Sequence, residues 1–290
     1  MQVTLYPNRN QYVPSTPKKQ KTPVSFGSNP YSRALAFTNN DFFINIQGYG
    51  RNEGWATAVR SIADNAAIRI RQVNTSDEVL AYIATGIKGA NCLTQNLCKK
   101  THSGILRTNR KGYGRAGQWK GTELVTPLKD QYVSYIPRLE PLKKTPLKSP
   151  FYDIDVAKIE TSGPLDDYEY QIVHPTDEKI NNALDRVGGK FFNLKKDFIS
   201  KPQNVTNDTL PQINSDIAEI RWIMAQSMPW ERGSDAISNV FMRSLYKSMG
   251  VKTYPVKKGI SLDLEAFCTP LSEYKKNFST YFEVEPRVTY

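Results

Sequence analysis

Residues 215–250 read SDIAEIRWIMAQSMPWERGSDAISNVFMRSLYKSMG, and this stretch predicts two amphipathic helices joined by a tight polar loop. In its first part Ile217, Ile220 and Met224 recur at helical spacing with Ile223 beside them. Asp216 followed by Glu219 has the form of a capping box, in which two side chains satisfy free N–H groups at a helix start. Pro229 disfavours helical angles at Met228, so the helix should stop near Ser227. Ser234 then offers an oxygen to cap a second helix whose apolar face is Ile237, Val240, Phe241, Leu245 and Met249. Lys247 falls in its last turn and Gly250 supplies the stop.

The loop between the helices poses the chemical question. Arg232, Gly233 and Ser234 sit where a guanidinium and the free N–H groups of a helix start could receive a phosphate or carboxylate. Asp235 in the first turn and Glu231 beside it work against an anion. The plainer alternative is that Trp230 plugs the core at a helix corner while Glu231 and Arg232 stay in solvent.

Helix, Pro-aromatic-x-x-Gly loop and second helix together resemble the central motif region of Fic-type transferases, His-Pro-Phe-x-[Asp/Glu]-Gly-Asn-Gly-Arg. The resemblance covers about residues 215–250 alone. Pro229 matches the proline, Trp230 replaces the phenylalanine and Gly233 matches the first glycine. Met228 stands where the catalytic histidine would be and Arg232 where the metal-binding acid would be; Ser234, Asp235 and Ala236 replace Asn-Gly-Arg. The resemblance implies a Fic-like helical fold whose usual nucleotidyl transfer is lost or rebuilt. On that reading Arg232, Gly233 and Ser234 grip a nucleotide or other anion, Glu231 is the nearby base, and Arg243, about two turns into the second helix, assists.

The chain has 290 residues, 39% hydrophobic and 23% charged, enough for a full core in one or two domains. Lys and Arg number 39 against 28 Asp and Glu, a net +11 that favours polyanionic partners. No apolar run reaches the roughly 18 residues of a membrane span, and the N-terminus lacks the apolar centre of a signal peptide. The expected location is therefore cytoplasmic, or secreted without a Sec-type signal peptide. Three cysteines, Cys92, Cys98 and Cys268, are too few for a disulfide framework.

Residues 1–38 contain no acid and many Pro, Ser, Thr, Asn and Gln, and are expected to be a disordered basic leader, either a solvated tail or an export signal like that of secreted bacterial effectors. An N-terminal α+β unit is expected over 39–136, a Pro- and Lys-rich linker or crossing segment over 137–165, and a helical unit over 166–290. DFFINIQ (41–47) reads as a strand, followed by a helix from about Trp55 to Gln72 with Val59, Ile62, Ala66 and Ile70 inward. Gly48, Gly50 and Gly54 between them miss the dinucleotide-binding spacing. A second helix should start near Thr75 or Ser76 and end at Gly86; YDIDVAKIE (152–160) reads as a weak strand, and a helix over 175–187 should stop at Gly188-Gly189. The C-terminal stretch should pack back through Leu262, Leu264, Phe267 and Tyr281.

Residues 99–120 carry Lys99, Lys100, Arg107, Arg110, Lys111, Arg115 and Lys120 with no acid. Within them Gly112-Tyr113-Gly114-Arg115 with Trp119 repeats Gly48-Tyr49-Gly50-Arg51 with Trp55. Tyr49, Arg51, Trp55, Tyr113 and Trp119 with this run would suit single-stranded nucleic acid, aromatic rings stacking on bases and cations meeting phosphates. Cys92, Cys98 and His102 match no common zinc spacing, and His174 ahead of Pro175 reads as a cap or surface residue. In the linker, Thr145-Pro146 and Ser149-Pro150 are expected to be accessible.

These readings give an α+β protein, predominantly α-helical, with a disordered N-terminal leader and a helical C-terminal core. The leading function is an effector- or toxin-like bacterial protein with a protein or nucleotide partner. A non-enzymatic nucleic-acid binder and a protein-interaction module are the alternatives. No metal site and no particular cofactor is indicated.

Overall fold

The two helices of the 215–250 stretch form, and the first of them is the axis of the molecule. The computed structural model describes residues 37–38, 40–43, 45–46, 50–95, 103–109, 119–120, 123–127, 130–161 and 170–289. Nearly all of the expected leader lies outside them. In chain order the helices are α1 (Glu53–Gln72), α2 (Ser76–Gln95), α3 (Ile136–Leu139), α4 (Ile180–Leu194), α5 (Leu210–Ser227), α6 (Ser234–Ser248), α7 (Leu262–Cys268) and α8 (Leu271–Asn277). The strands are β1 (Asn45–Ile46), β2 (Gly50–Arg51), β3 (Trp119–Lys120), β4 (Glu123–Pro127), β5 (Lys158–Glu160), β6 (Gln171–Val173), β7 (Val251–Lys252) and β8 (Arg287–Val288). They make a four-stranded antiparallel sheet in the order β3-β4-β6-β5 and two small ribbons, β1-β2 and β7-β8. The fold is thus predominantly α-helical α+β.

Helix α5 packs against α4, α6, α7 and α8, and every residue from Asp216 to Ser227 is buried. A helix enclosed on all sides must pair any charge it carries. Lys190 (3.1 Å) and Gln212 (2.9 Å) donate to Asp216, and Lys275 donates to Glu219 at 2.8 Å. The expected capping box is therefore corrected: α5 starts at Leu210, with Pro211 in its first turn, so Asp216 and Glu219 lie in its interior. The stop at Ser227 holds. Met228 takes a left-handed conformation, φ 44°, and its N–H reaches back to the Met224 carbonyl.

Helix α1 begins at Asn52, whose side chain accepts from the Trp55 N–H. Its inner face of Trp55, Val59 and Ile70 is interleaved with Ala56, Ala63, Ala66 and Ala67, small residues that let α2 and α6 approach closely. Two expected helix ends are corrected. Gly86 does not end α2, which runs on to Gln95; a Cβ there would meet Ile62 of α1 at 3.0 Å. Gly188-Gly189 likewise sit inside α4. An interior glycine costs a helix about 1 kcal/mol; the close approach of Ile62 offsets that at Gly86, whereas a Cβ at Gly189 would meet open space. The strand expected over 41–47 shrinks to Asn45–Ile46 after a turn, and that over 152–160 to Lys158–Glu160. One hydrophobic cluster joins α1 and α2 to α4–α8 and includes Leu262, Leu264, Phe267 and Tyr281.

Candidate functional site

The loop Met228–Gly233 turns the chain through a corner that a second segment holds in place. Residues 103–107 run alongside it: Gly104 N–H donates to the Arg232 carbonyl, Glu231 N–H to Ile105, and Arg107 N–H to Pro229. Ser103 and Leu106 bridge Arg232 and Trp230. This strap is pressed against α2, where the Asn91 amide donates to the Ser103 hydroxyl at 2.8 Å. Gly104 is required there, because φ is +74° and a Cβ would lie 2.5 Å from the Ala84 carbonyl oxygen.

Arg107 is the centre of the strap. It has no exposed surface, and its guanidinium donates to the Asp177 carboxylate (3.0 Å) and to the carbonyls of Pro175 (2.6 Å), Ser227 (2.9 Å) and Met228 (3.3 Å). Two of those carbonyls end α5, where a cation meets both the free acceptors and the negative end of the helix dipole. His174 lies beside it, fully buried, its ring 5.5 Å from that of Phe267. Burial, and then the charge of Arg107, push its pKa down to about 3. The ring is therefore neutral, and Nδ1 stands 3.3 Å from the Gln226 carbonyl, which makes Nδ1–H the donor. His174 is thus a buried core group, not the cap or surface residue expected from sequence.

A second buried cation belongs to α5 itself. Arg221, 1% exposed, donates to Asp263 of α7 at 2.5 Å and to Asp235 of α6, while its Nε faces the Asn239 amide oxygen. One guanidinium therefore ties the first turns of α6 and α7 to α5. Burial, and then the neighbouring Asp263 carboxylate, raise the pKa of Asp235. Arg221 between Ile220 and Trp222, a lone cation in an apolar helix, is the sequence signal of this group.

The expected anion grip is placed as follows. Gly233 has φ +86° and caps α6, so Ser234 is the first helical residue and does not cap. The Ser234 hydroxyl instead accepts from the Trp230 N–H and donates to the Trp230 carbonyl, both at 3.0 Å. Trp230 is buried, while Glu231 and Arg232 are half-buried. The Arg232 guanidinium makes no hydrogen bond or ion pair with the described residues. Arg243 does not converge on the corner: it binds the Thr253 carbonyl at 3.1 Å and lies over the Phe42 ring at 5.2 Å. It stands nine residues, or about 13 Å, along α6.

Of the expected nucleic-acid residues, Arg107 and Trp55 point into the core, and the exposed Arg51 pairs with Glu53 at 2.6 Å. Trp119 and Lys120 supply the backbone of β3. Tyr49, Lys99, Lys100, Arg110, Lys111, Tyr113 and Arg115 lie outside the described residues, as do Cys98 and His102. Among the described residues no cluster of His, Cys, Asp and Glu could hold a metal, and no helix is long and apolar enough to cross a membrane.

No curated protein matches the chain. Residues 200–285, which contain α5, the corner, α6, α7 and α8, match the family model described as AvrB_AvrC, avirulence protein. That match overturns the Fic-type resemblance, because the family found over this stretch is not a Fic-type domain. The Pro229-Trp230 and Gly233 correspondences are common corner chemistry: a proline and a left-handed glycine stop one helix and start the next. Over residues 200–285 the chain is similar to avirulence proteins, and this similarity supports a bacterial effector.

Proposed function

We propose that the protein is an effector delivered into host cells, and that it works there by binding a host protein at the corner around Arg232. The supporting observation is that the family match spans that corner, and that the corner presents an Arg with no partner of its own among the described residues. The loop backbone is held by the strap on one side and by Ser234 on the other. A side chain displayed from so fixed a frame loses little further freedom on binding. Arginine is also among the residues that carry most energy at protein interfaces. The partner surface should carry a carboxylate or other anion to pair with Arg232.

Delivery is tested by fusing a reporter that is active only inside host cells, such as a calmodulin-dependent adenylate cyclase, to the C-terminus of the full chain. The expected result is a host-cell signal that disappears when residues 1–38 are removed. A full chain that gives no signal when expressed at normal levels in the secreting bacterium would contradict the reading.

A further inference from the structure

The segment from Lys144 to Ala157 crosses the surface between the short helical turns at 136–143 and β5. It carries two hydroxyls that each precede a proline, Thr145-Pro146 and Ser149-Pro150. We propose that Thr145, and not Ser149, is a phosphate acceptor for a proline-directed protein kinase of the host, an inference that rests on the effector reading for the enzyme's source.

The structure separates the two hydroxyls. Thr145, Pro146 and Lys148 are exposed. The Thr145 N–H closes the preceding turn on the Pro141 carbonyl. From Pro146 to Ser149 the backbone makes no backbone–backbone hydrogen bond with the described residues. That run can therefore lie extended in an enzyme cleft without breaking a backbone–backbone bond to the described residues, and Pro146, which follows Thr145, biases it to extended angles. Ser149 is half-buried, and its Oγ accepts from the Phe151 N–H at 3.2 Å. The chain beyond is anchored to α4, where Asn182 and Arg186 both bind Asp153. Presenting Ser149 would require that anchored turn to open.

Residue types around Thr145 fit the same enzyme class. Pro146 brings no N–H into the cleft, and Lys148, three residues after the acceptor, offers a cation to an acidic enzyme surface. In the transfer, the γ-phosphoryl group of a nucleoside triphosphate moves to the Thr145 hydroxyl oxygen. A new P–O bond forms there, the bond to the β-phosphate bridging oxygen breaks, the nucleoside diphosphate leaves, and the hydroxyl proton passes to the enzyme's catalytic carboxylate. The product carries about two negative charges at neutral pH. It would stand among Lys143, Lys144 and Lys148, and would compete for Lys143, which now pairs with Glu140 at 2.6 Å.

The test uses the full folded chain with a purified proline-directed kinase and labelled ATP, with sites mapped by mass spectrometry. The expected result is one phosphate on Thr145. Label should fall at least tenfold in Thr145→Ala and in Pro146→Ala, persist in Thr145→Ser, and be unchanged in Ser149→Ala. Phosphate on Ser149 with Thr145 bare, or label on an isolated 140–155 peptide but not on the folded chain, would overturn the assignment. Chain recovered from host cells should carry the same phosphate. Its absence there, with delivery shown by the reporter, would overturn the host-kinase assignment, whereas failed delivery would overturn the effector reading and leave the purified reaction standing.

Discussion

Arg107 donates a 2.9 Å hydrogen bond to the carbonyl of Ser227, the last residue of α5, 120 positions later in the chain. The bond joins the strap to the corner, and with Pro175, Asp177 and Met228 it makes one side chain of the strap the common partner of two other segments.

Replacing Arg107 with Ala should therefore leave several buried acceptors unpaired and cost about 3 to 5 kcal/mol. Arg107→Lys should recover only part of that, because an ammonium cannot reach the same set of acceptors with a planar fork. Urea denaturation of both variants checks this, and a loss below about 1 kcal/mol for the alanine would show that the clamp is dispensable.

His174 sets an acid limit. Its folded-state pKa of about 3 lies below the ordinary histidine value. Between about 6.5 and 3 the unfolded chain thus binds a proton that the folded chain does not, and stability falls as pH drops through that window by up to about 1.4 kcal/mol per unit. Melting temperature followed from pH 8 to pH 4 should decline more steeply in wild type than in His174→Gln. Equal slopes would exclude His174 as the source.

Asp235 acts with the opposite sign. Its pKa is raised, so the folded state holds the proton more tightly and stability falls as pH rises above the ordinary aspartate value of about 3.9. Asp235 keeps 29% of its side chain exposed, so water screens part of the repulsion from Asp263. Asp235→Asn should be neutral below about pH 4, where the aspartate is protonated in both states, and gain about 1 kcal/mol or less by pH 8. A variant that is uniformly destabilised would mean that the Arg221 pair outweighs the carboxylate repulsion.

The two left-handed glycines of the corner should separate cleanly. Gly104→Ala meets both a strained φ and the Ala84 carbonyl, and should cost at least about 2 kcal/mol. Gly233→Ala meets the same kind of strained φ, +86°, but only the Ile87 side chain at 3.4 Å, and should cost about 1 kcal/mol. Equal losses in calorimetry would remove the steric account of the strap.

The hairpin was legible because its signals were local: apolar residues at helical spacing, a proline after Met228 and a glycine at 250. What the sequence hid was long-range. Arg107 read as one cation in a basic run, and only its contacts with residues 68 to 121 positions away give it a buried role. Gly86 reads as a stop because a glycine's cost is local while its packing benefit, the close approach of Ile62, is tertiary. Ser234 read as a cap because nothing in the sequence shows that its hydroxyl turns back to Trp230.

The most direct test of the effector account is the host response to the full chain and to Arg232→Glu, expressed inside host cells at equal levels and equal melting temperature. Arg232 is half-exposed and makes no ion pair among the described residues, so the charge reversal should leave folding intact. The account predicts at least a tenfold loss of the response. A variant as active as wild type would contradict a working contact at the corner.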